Sequence, residues 1–531
     1  MTRNRLGRRL DSTHATALFA GIAAVAGSYA AAGFTPAFVV APVEAFLTRT
    51  VPDAVLRFAI TTLGTFAGID HFGQLLNLAL AVGLATAVLA GAAFAALLAG
   101  RRLDSALASV GLAGGFAWGL TAVLTGAPSL ALGAGAGSAV VVAAAELAAA
   151  TPASTTDTVS SARRRVLGGL TTALGVGAVG YAFGDTETAG RGESNAASVD
   201  DSAGSGTRGS DSASSTDTRF GDPDATRELL DEADRRTLDV EGLEGLVSDD
   251  FYQVDISNVD PNLSADDWTL SVTGAVERPA SYTYDELVAL GAEQRFVTLR
   301  CVSDPVNGKL MDTDLWTGVP VSRILEEVNP RGTHVMFRAA DNYYEEFPVE
   351  ALRESFLAYG KHGEALPRGH GYPVRALVPG HWGEINVKWI TEIEVLEGPE
   401  KGFWEKRGWH GTGPVNTAAK LHATNRLGDR IQVAGHAYAG TRGIDRVEVS
   451  TDGGDSWTGA TLSDPLPAGT DEAGEFAEDA WRQWEHTYDD PGERHTVVVR
   501  ATDGTGTLQP REEEGPYPSG STGWVSKSIS K

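Results

Sequence analysis

The sequence predicts an α-helical membrane domain (residues 1–184), a tether (185–235), an α+β domain (236–415) and a C-terminal β-sandwich of immunoglobulin type (416–531). Three observations predict this. Residues 1–184 run in long stretches of Ala, Gly, Leu and Val almost free of charge, as a membrane region does. From about Val240, strand-like and helix-like patterns mix without a steady βαβ period, which reads as α+β. From about Ala418, short alternating strands are separated by turn residues, the spacing of a sandwich.

Candidate spans are 15–34, 72–98, 106–124, 130–150 and 166–183, each near the roughly 20 residues that a bilayer requires. Residues 58–68 are apolar but short and read as interfacial or re-entrant. Arginines set the orientation: Arg3, Arg5, Arg8 and Arg9 precede the first span, Arg101 and Arg102 follow the second, and Arg163, Arg164 and Arg165 precede the fifth. Five spans put all three clusters on the cytoplasmic side and everything after Phe183 outside the cell. The run Ala162-Arg163-Arg164-Arg165-Val166-Leu167-Gly168 also resembles an internal twin-arginine export signal; the plainer reading is a charge cluster that stops an anchor. His14 and His71 are the only histidines in this region and Met1 its only methionine, which argues against a haem with paired axial ligands. The region reads as an anchor or docking surface, with Glu146 the one ionisable residue inside a span.

The tether, as in SVDDSAGSGTRGSDSASSTDT, has hardly any large apolar residue and cannot offset its ordering entropy. It is expected to be disordered. The formal net charge is −26, and only eight of the 43 basic residues are lysine. That acidic balance makes nucleic acid an improbable partner, because phosphate binding needs clustered positive charge. It is similar to the surface chemistry of proteins from salt-loving organisms. One cysteine in 531 residues excludes an intramolecular disulfide.

In the α+β domain, 268–272 alternates as a strand, 284–290 reads as a short helix, 316–326 as a helix start and 333–339 as another strand. In the sandwich, strands are expected at 430–435, 445–450, 481–488 and 495–501, with Asp452-Gly453-Gly454 as a hairpin turn. The acidic insert 465–479 reads as a solvated loop. No internal repeat is evident.

The lone cysteine organises the chemistry. Phe296, Val297, Thr298 and Leu299 read as a buried strand, and Ser303-Asp304-Pro305 and Asn307-Gly308 as turns. Cys301 therefore sits at a strand end, where a thiolate can bind a soft metal; taken alone, the residue reads first as an inert buried thiol.

The run TLRCVSDPVNG, followed by LMDTDLWTGVPV, resembles the cysteine segment of the sulfite oxidase family of molybdopterin enzymes, in its membrane-anchored prokaryotic, haloarchaeal-like form. The resemblance covers about the last 280 residues and recurs, in the family's order, at 363–390, FWEKRGW (403–409) and DRVEVSTDGGDSW (445–457). It implies that Cys301 ligates molybdenum held by molybdopterin. It also implies that His370, Arg375 and Lys388 contact the pterin and its phosphate, that Gly383 permits close backbone approach, and that Asp255 lies in a further cofactor-binding segment. Arginine's planar fork suits phosphate.

There are departures. Ile385 stands where relatives usually carry a basic residue, Gln253 replaces an arginine, and Trp409 occupies an aromatic position that is commonly tyrosine; tryptophan can donate but cannot act as an acid. Arg300 and Arg407 remain as cations for an oxyanion, each equally suited to a structural ion pair. The candidate catalytic residues are thus Cys301, Trp409, Arg300 and Arg407.

The resemblance implies two-electron oxygen-atom transfer on a small oxyanion or S- or N-oxide, outside the cell. The implied partners are an electron carrier (a cytochrome, a copper protein or a quinone-linked subunit) and a second copy of the chain. The rival reading is a non-catalytic extracytoplasmic binding or adhesion module on a degenerate scaffold. A third is a copper or zinc site on Cys301 with His370 or His410, which lacks motif spacing.

Overall fold

The computed structural model describes residues 2–55, 58–59, 72–150, 218–470 and 476–530. It divides into two compact units, the N-terminal helices with Asp255–Asn262, and the remainder of the C-terminal chain.

The first unit contains α1 (Thr2–Ala32), α2 (Val40–Thr50), α3 (Phe72–Arg102), α4 (Ala106–Thr125) and α5 (Leu132–Ala150). Four stretches, Ser12–Ala32, Gly73–Arg102, Ala106–Thr125 and Leu132–Ala150, are long and apolar enough to cross a membrane. They correspond to four of the five expected spans. The fifth (166–183), the Arg163 to Arg165 cluster, most of 58–68 and His71 lie outside the described residues. Helices α1 and α5 meet through small residues. A Cβ on Gly27 would stand 2.2 Å from the Gly133 carbonyl oxygen, and one on Gly137 would stand 2.1 Å from that of Ala23, so only glycine permits this backbone approach. Asp255 belongs to this unit, where its carbonyl oxygen accepts from Gln74 Nε2 at 2.9 Å.

The second unit begins with a correction to the tether. Its C-terminal end is ordered: α6 (Pro223–Arg236) starts at an Asp222 cap that accepts from Asp224 N, carries Pro223 in its first turn and ends on Arg235 and Arg236, three local signals that favour a helix. Thr226 and Ala233 are buried, so packing supplies what composition lacks. Then follow β1 (Thr269–Gly274), β2 (Ala280–Thr283), α7 (Tyr284–Val288), β3 (Glu293–Arg300), β4 (Met311–Pro320), α8 (Val321–Val328), β5 (His334–Ala339), β6 (Tyr344–Pro348), α9 (Val349–Arg353), β7 (Phe356–Lys361), β8 (Glu364–Ala365), β9 (Arg375–Leu377) and β10 (Ile390–Leu396). One sheet has the order β2-β1-β10-β5-β6, the other β3-β4-β7-β8 with β9 on β7.

The architecture is α+β, as expected, but the helix expected at 316–326 starts later. Residues 311–320 form β4, buried at every position and paired on both sides. The helical period begins only after Pro320, where Val321, Ile324, Leu325 and Val328 turn into the core. A Cβ at Gly318 would stand 2.2 Å from the Leu357 carbonyl oxygen, which fixes β4 against β7.

The sandwich pairs a sheet of order β11-β13-β17-β16, with β12 on β13, against one of order β15-β14-β18-β19. Its strands are β11 (Ala418–Ala419), β12 (Ala423–Leu427), β13 (Arg430–Tyr438), β14 (Ile444–Ser450), β15 (Thr458–Gly459), β16 (Thr461–Leu462), β17 (Arg482–Asp489), β18 (His495–Asp503) and β19 (Val525–Ile529). Ile431, Val433, Val447, Val449, Trp484, Val497 and Val499 fill the interior. The insert 465–479 is not simply solvated. Thr298 N donates to the Asp479 carbonyl oxygen at 2.8 Å, Thr470 N to that of Gln294 at 3.1 Å, and Leu466 is fully buried. The insert docks on the exposed edge of β3, whose unpaired main-chain groups need partners.

Candidate functional site

β3 delivers Cys301 and a tightly held loop carries the chain on to β4. Cys301 N donates to the Leu310 carbonyl oxygen at 2.9 Å, Asp304 N to that of Cys301 at 3.1 Å, and Leu310 N to Asp304 Oδ1 at 3.0 Å. The loop is then clamped to the sandwich: Asn307 exchanges two hydrogen bonds with the Leu421 main chain at 3.0 and 2.8 Å, and Lys420 Nζ donates to the Gly308 carbonyl oxygen at 2.8 Å. The Cys301 sulfur is 3.1 Å from Ser303 Oγ, so it faces a hydroxyl rather than hydrocarbon. Burial pushes the thiol up, and Asp304 and Glu384 add to this. A metal cation at the sulfur would reverse that sign, since coordination deprotonates a thiol outright.

A second wall comes from Phe251-Tyr252 and the turns at Arg368–His370 and Gly383–Ile385. A Cβ on Gly383 would lie 3.0 Å from the Tyr252 hydroxyl, its tightest neighbour, and 3.6 Å from Cys301 Cα, so Gly383 lies beside both residues. Burial, then Cys301 and Asp312, hold the Tyr252 phenol well above its ordinary range. Phe251 stacks on Tyr252 (centroids 5.4 Å) and meets Trp316 and His370 edge-on at 5.3 and 5.8 Å. The Arg375 guanidinium lies over Trp316 at 5.1 Å and donates to the carbonyl oxygens of His370 and Asn386 at 3.3 and 3.2 Å. Lys388 Nζ donates to the Gly369 carbonyl oxygen at 2.7 Å. Gly371, at φ 109°, separates the two cations: a Cβ there would stand 2.9 Å from Arg375 Cβ and 3.3 Å from Lys388 Cβ. His370, Arg375 and Lys388 are thus gathered at one turn, as the motif implied.

His370 supplies the test of fit for a bound cofactor. Its Nδ1 is buried with no hydrogen-bond partner, and burial, reinforced by Arg375, Lys388 and Lys361, lowers its pKa to about 3. A neutral imidazole beside two cations, with a buried ring nitrogen lacking a partner, is chemically suited to a polar anionic group.

The profile of the oxidoreductase molybdopterin binding domain matches residues 257–404, and that of the Mo-co oxidoreductase dimerisation domain matches residues 415–515. NADH nitrate reductase 2 of Phaseolus vulgaris is 29% identical over 273 residues, 39% of this chain and 30% of that enzyme. Mitochondrial sulfite oxidase of Rattus norvegicus is 27% identical over 304 residues, 47% of this chain and 54% of that enzyme. The chain thus covers between 30% and 54% of the length of these two relatives. Both matched domains are domains of molybdopterin oxidoreductases, and there the chain is similar to nitrate reductase and sulfite oxidase. The sulfane dehydrogenase SoxCD of Paracoccus pantotrophus aligns at 25% identity with a TM-score of 0.44, over 51% of this chain and 76% of that one.

These matches favour the oxidoreductase reading over that of a non-catalytic module. Among the described residues the only group of three or more metal-type side chains omits Cys301, and His410 is exposed.

The cations expected beside the substrate are differently used. Arg300 is almost fully buried, and its nitrogens donate to Asp304 (3.1 Å), the Asn416 carbonyl oxygen (3.2 Å) and Ser521 Oγ (2.8 Å). It is a structural ion-pair partner, because its donors are already engaged. The Arg407 guanidinium lies flat on Phe403 at 3.6 Å and donates to the Phe403 carbonyl oxygen at 2.6 Å. Trp409 is buried in an edge-to-face stack with Trp404 and Tyr517 (centroids 6.3 and 5.2 Å). Ile385 is fully buried in the α+β core, so that position presents no charge. Gln253 lies over the His370 turn, where a Cβ on Gly369 would stand 2.5 Å from its Oε1.

Sequence reasoning did not assign Tyr252 or Trp316 to the site. The signal for Trp316 was masked by the helical reading of its strand, and that for Tyr252 by attention to Gln253.

Proposed function

We propose that this chain is a membrane-anchored molybdenum-cofactor oxidoreductase that acts on a small oxyanion or an S- or N-oxide. The observation that carries the reading is the placement of Cys301 on a clamped strand end, next to Gly383 and Tyr252, with Tyr252 in turn linked through Phe251 to His370. Cys301 would ligate the metal, and His370, Arg375 and Lys388 would hold the pterin and its phosphate. When bound, the molybdenum cofactor supplies two-electron oxygen-atom exchange.

The protein's own part is to position and to exclude water. Cys301 is held by two main-chain hydrogen bonds, so the sulfur position does not depend on a mobile side chain alone. His370 stays neutral at working pH and offers a hydrogen bond rather than charge. Tyr252 stays protonated and can donate its phenolic proton near Gly383. With Arg300 committed to Asp304, sulfite has one fewer cationic contact than the sequence suggested, which leaves sulfoxides and N-oxides as equal substrate classes.

Four apolar helices support the anchor. The arginine distribution supports an extracytoplasmic catalytic unit reached by an electron carrier. The match to the dimerisation domain family supports a homodimer.

Elemental analysis of the purified full chain should find stoichiometric molybdenum, absent from Cys301→Ser with unchanged circular dichroism. A screen of sulfite against methionine sulfoxide and other oxides, with an artificial electron carrier, should find turnover in one direction. Native molybdenum content in Cys301→Ser would overturn the ligand assignment.

A further inference from the structure

The α+β domain buries three carboxylates that nothing in the described chain neutralises. Glu345 on β6, Glu384 next to Gly383 and Glu405 in the Trp404 to Trp409 segment each offer an oxygen, and these oxygens all lie within 4.8 Å of one another. Glu345 is fully buried and Glu384 is 6% exposed. Glu345 Oε1 accepts from Trp404 N at 2.7 Å and from the Tyr343 hydroxyl at 3.3 Å. Its Oε2, both oxygens of Glu384 and both oxygens of Glu405 are buried with no hydrogen-bond donor among the described residues. Two such carboxylates can bind each other only by sharing a proton. Burying even one unpaired carboxylate is costly, and three together far more so.

The backbone is shaped around them. A Cβ on Gly402 would fall 1.7 Å from Glu345 Oε2 and 2.5 Å from Glu405 Oε2, and one on Gly411 would fall 1.9 Å from Glu384 Oε2. Two glycines therefore let the main chain close on the carboxylate oxygens, so the trio lies in a formed cradle.

We propose that Glu345, Glu384 and Glu405 bind a hard divalent cation of calcium type, a site separate from the thiol and the pterin-binding turn. All donors are oxygens, which suits calcium or magnesium and not a soft metal. The spacing admits an ion with oxygens at about 2.3–2.6 Å, the calcium range, whereas magnesium keeps most of its waters. The ion joins β6, the turn whose Gly383 backs onto Cys301, and the segment that carries Arg407 and Trp409. Its charge also offsets Glu384, one of the two carboxylates that push the Cys301 thiol up. Its role is to fix the catalytic wall rather than to react.

The test is a titration of the chelator-stripped holoenzyme with terbium(III), an oxygen-seeking ion read by indole-sensitised emission, for which Trp404, next to Glu405 in sequence and bonded through its main-chain nitrogen to Glu345, is the donor. The expected result is saturable emission displaced by calcium, an affinity at least about tenfold weaker in Glu384→Gln and in Glu405→Gln, and a thermal midpoint raised by calcium in the native protein only. Emission no greater than in the Glu345→Gln/Glu384→Gln/Glu405→Gln variant overturns the proposal. Where that variant does not fold, a midpoint indifferent to calcium in the native protein and in both single variants overturns it, and assigns the trio to proton sharing. Molybdenum content, measured in each sample, separates failure of this site from failure of the cofactor assignment.

Discussion

Asp304 and Glu384 are both buried carboxylates within electrostatic reach of the Cys301 sulfur, yet their surroundings are opposite. Asp304 Oδ2 takes Arg300 Nε at 3.1 Å and Lys420 Nζ, and its Oδ1 takes Leu310 N. Every partner of that charge is built into the chain. Burial pushes the Asp304 carboxyl up, but Lys420 and then Arg300 outweigh it, and the group lies below its ordinary 3.8. For Glu384 burial and the neighbouring Glu405 act together, and the group lies well above 4.5. The difference lies in where the cations come from. Arg300 ends β3 and Lys420 opens the sandwich, so the Asp304 cluster joins two domains and fixes the cysteine loop as it does so. The glutamate trio is gathered from within one domain and meets no cation among the described residues, so its charge is left for something from outside.

Breaking the matched cluster should have the largest effect. Asp304→Ala strands a guanidinium and an ammonium in a site from which water is excluded, and removing one partner of a buried ion pair costs about 3–5 kcal/mol. Denaturant unfolding should show this loss together with loosening of the 302–310 loop in hydrogen exchange. Lys420→Met is milder, because Arg300 still faces Asp304; the lost charge-assisted bond is worth about 1.5–3 kcal/mol. An equal loss in both variants would mean that Lys420, not the aspartate, bears the cluster.

How much of this was legible in the sequence follows from the distances along the chain that each feature spans. Cys301, His370, Arg375, Gly383 and Lys388 sit in short local motifs, and the structure gathers His370, Arg375 and Lys388 at one turn, with Gly383 at the cysteine. The role of Arg300 was not legible, because it is decided by Lys420 and by Ser521, 221 residues further on. Trp316 was read as helical because β4 is buried at every position although it carries Asp312, Thr313, Asp314 and Thr317, and a strand paired on both sides has no period-2 alternation to betray it. The acidic insert was read as solvated because nothing local shows that the edge of β3 lacks a partner. The trio spans positions 345 to 405, in three elements that no sequence period connects.

Titration should separate the two groups by sign. For Asp304, whose folded pKa is lowered, the stabilisation is present above the unfolded 3.8 and is lost as pH falls through the folded value. The stability gap between native protein and Asp304→Ala should therefore stay level from neutral pH down to about 4 and then close. For Glu345 and Glu384, whose folded pKa values are raised by burial and by Glu405, the charged form is the strained one. In chelator, its cost is relieved as pH falls from the raised values towards 4.5. The gap between native protein and Glu384→Gln should then close as pH falls from neutral, well before the Asp304 gap does.

The smallest expected effect is that of Glu384→Gln itself at neutral pH in chelator. The amide keeps the shape of a carboxylate that has no donor among the described residues and removes its buried charge, so the variant should equal the native protein or exceed it by about 1 kcal/mol. With calcium present the order should invert: the native protein gains stability and the variant does not, because a ligand that binds only the folded state stabilises it by mass action. A variant less stable than native in chelator would mean that Glu384 already has an internal partner, and the contrast with Asp304 would then be one of degree. A variant equal to native in chelator and inferior only with calcium would place the missing countercharge in solution, beside the wall that holds Cys301.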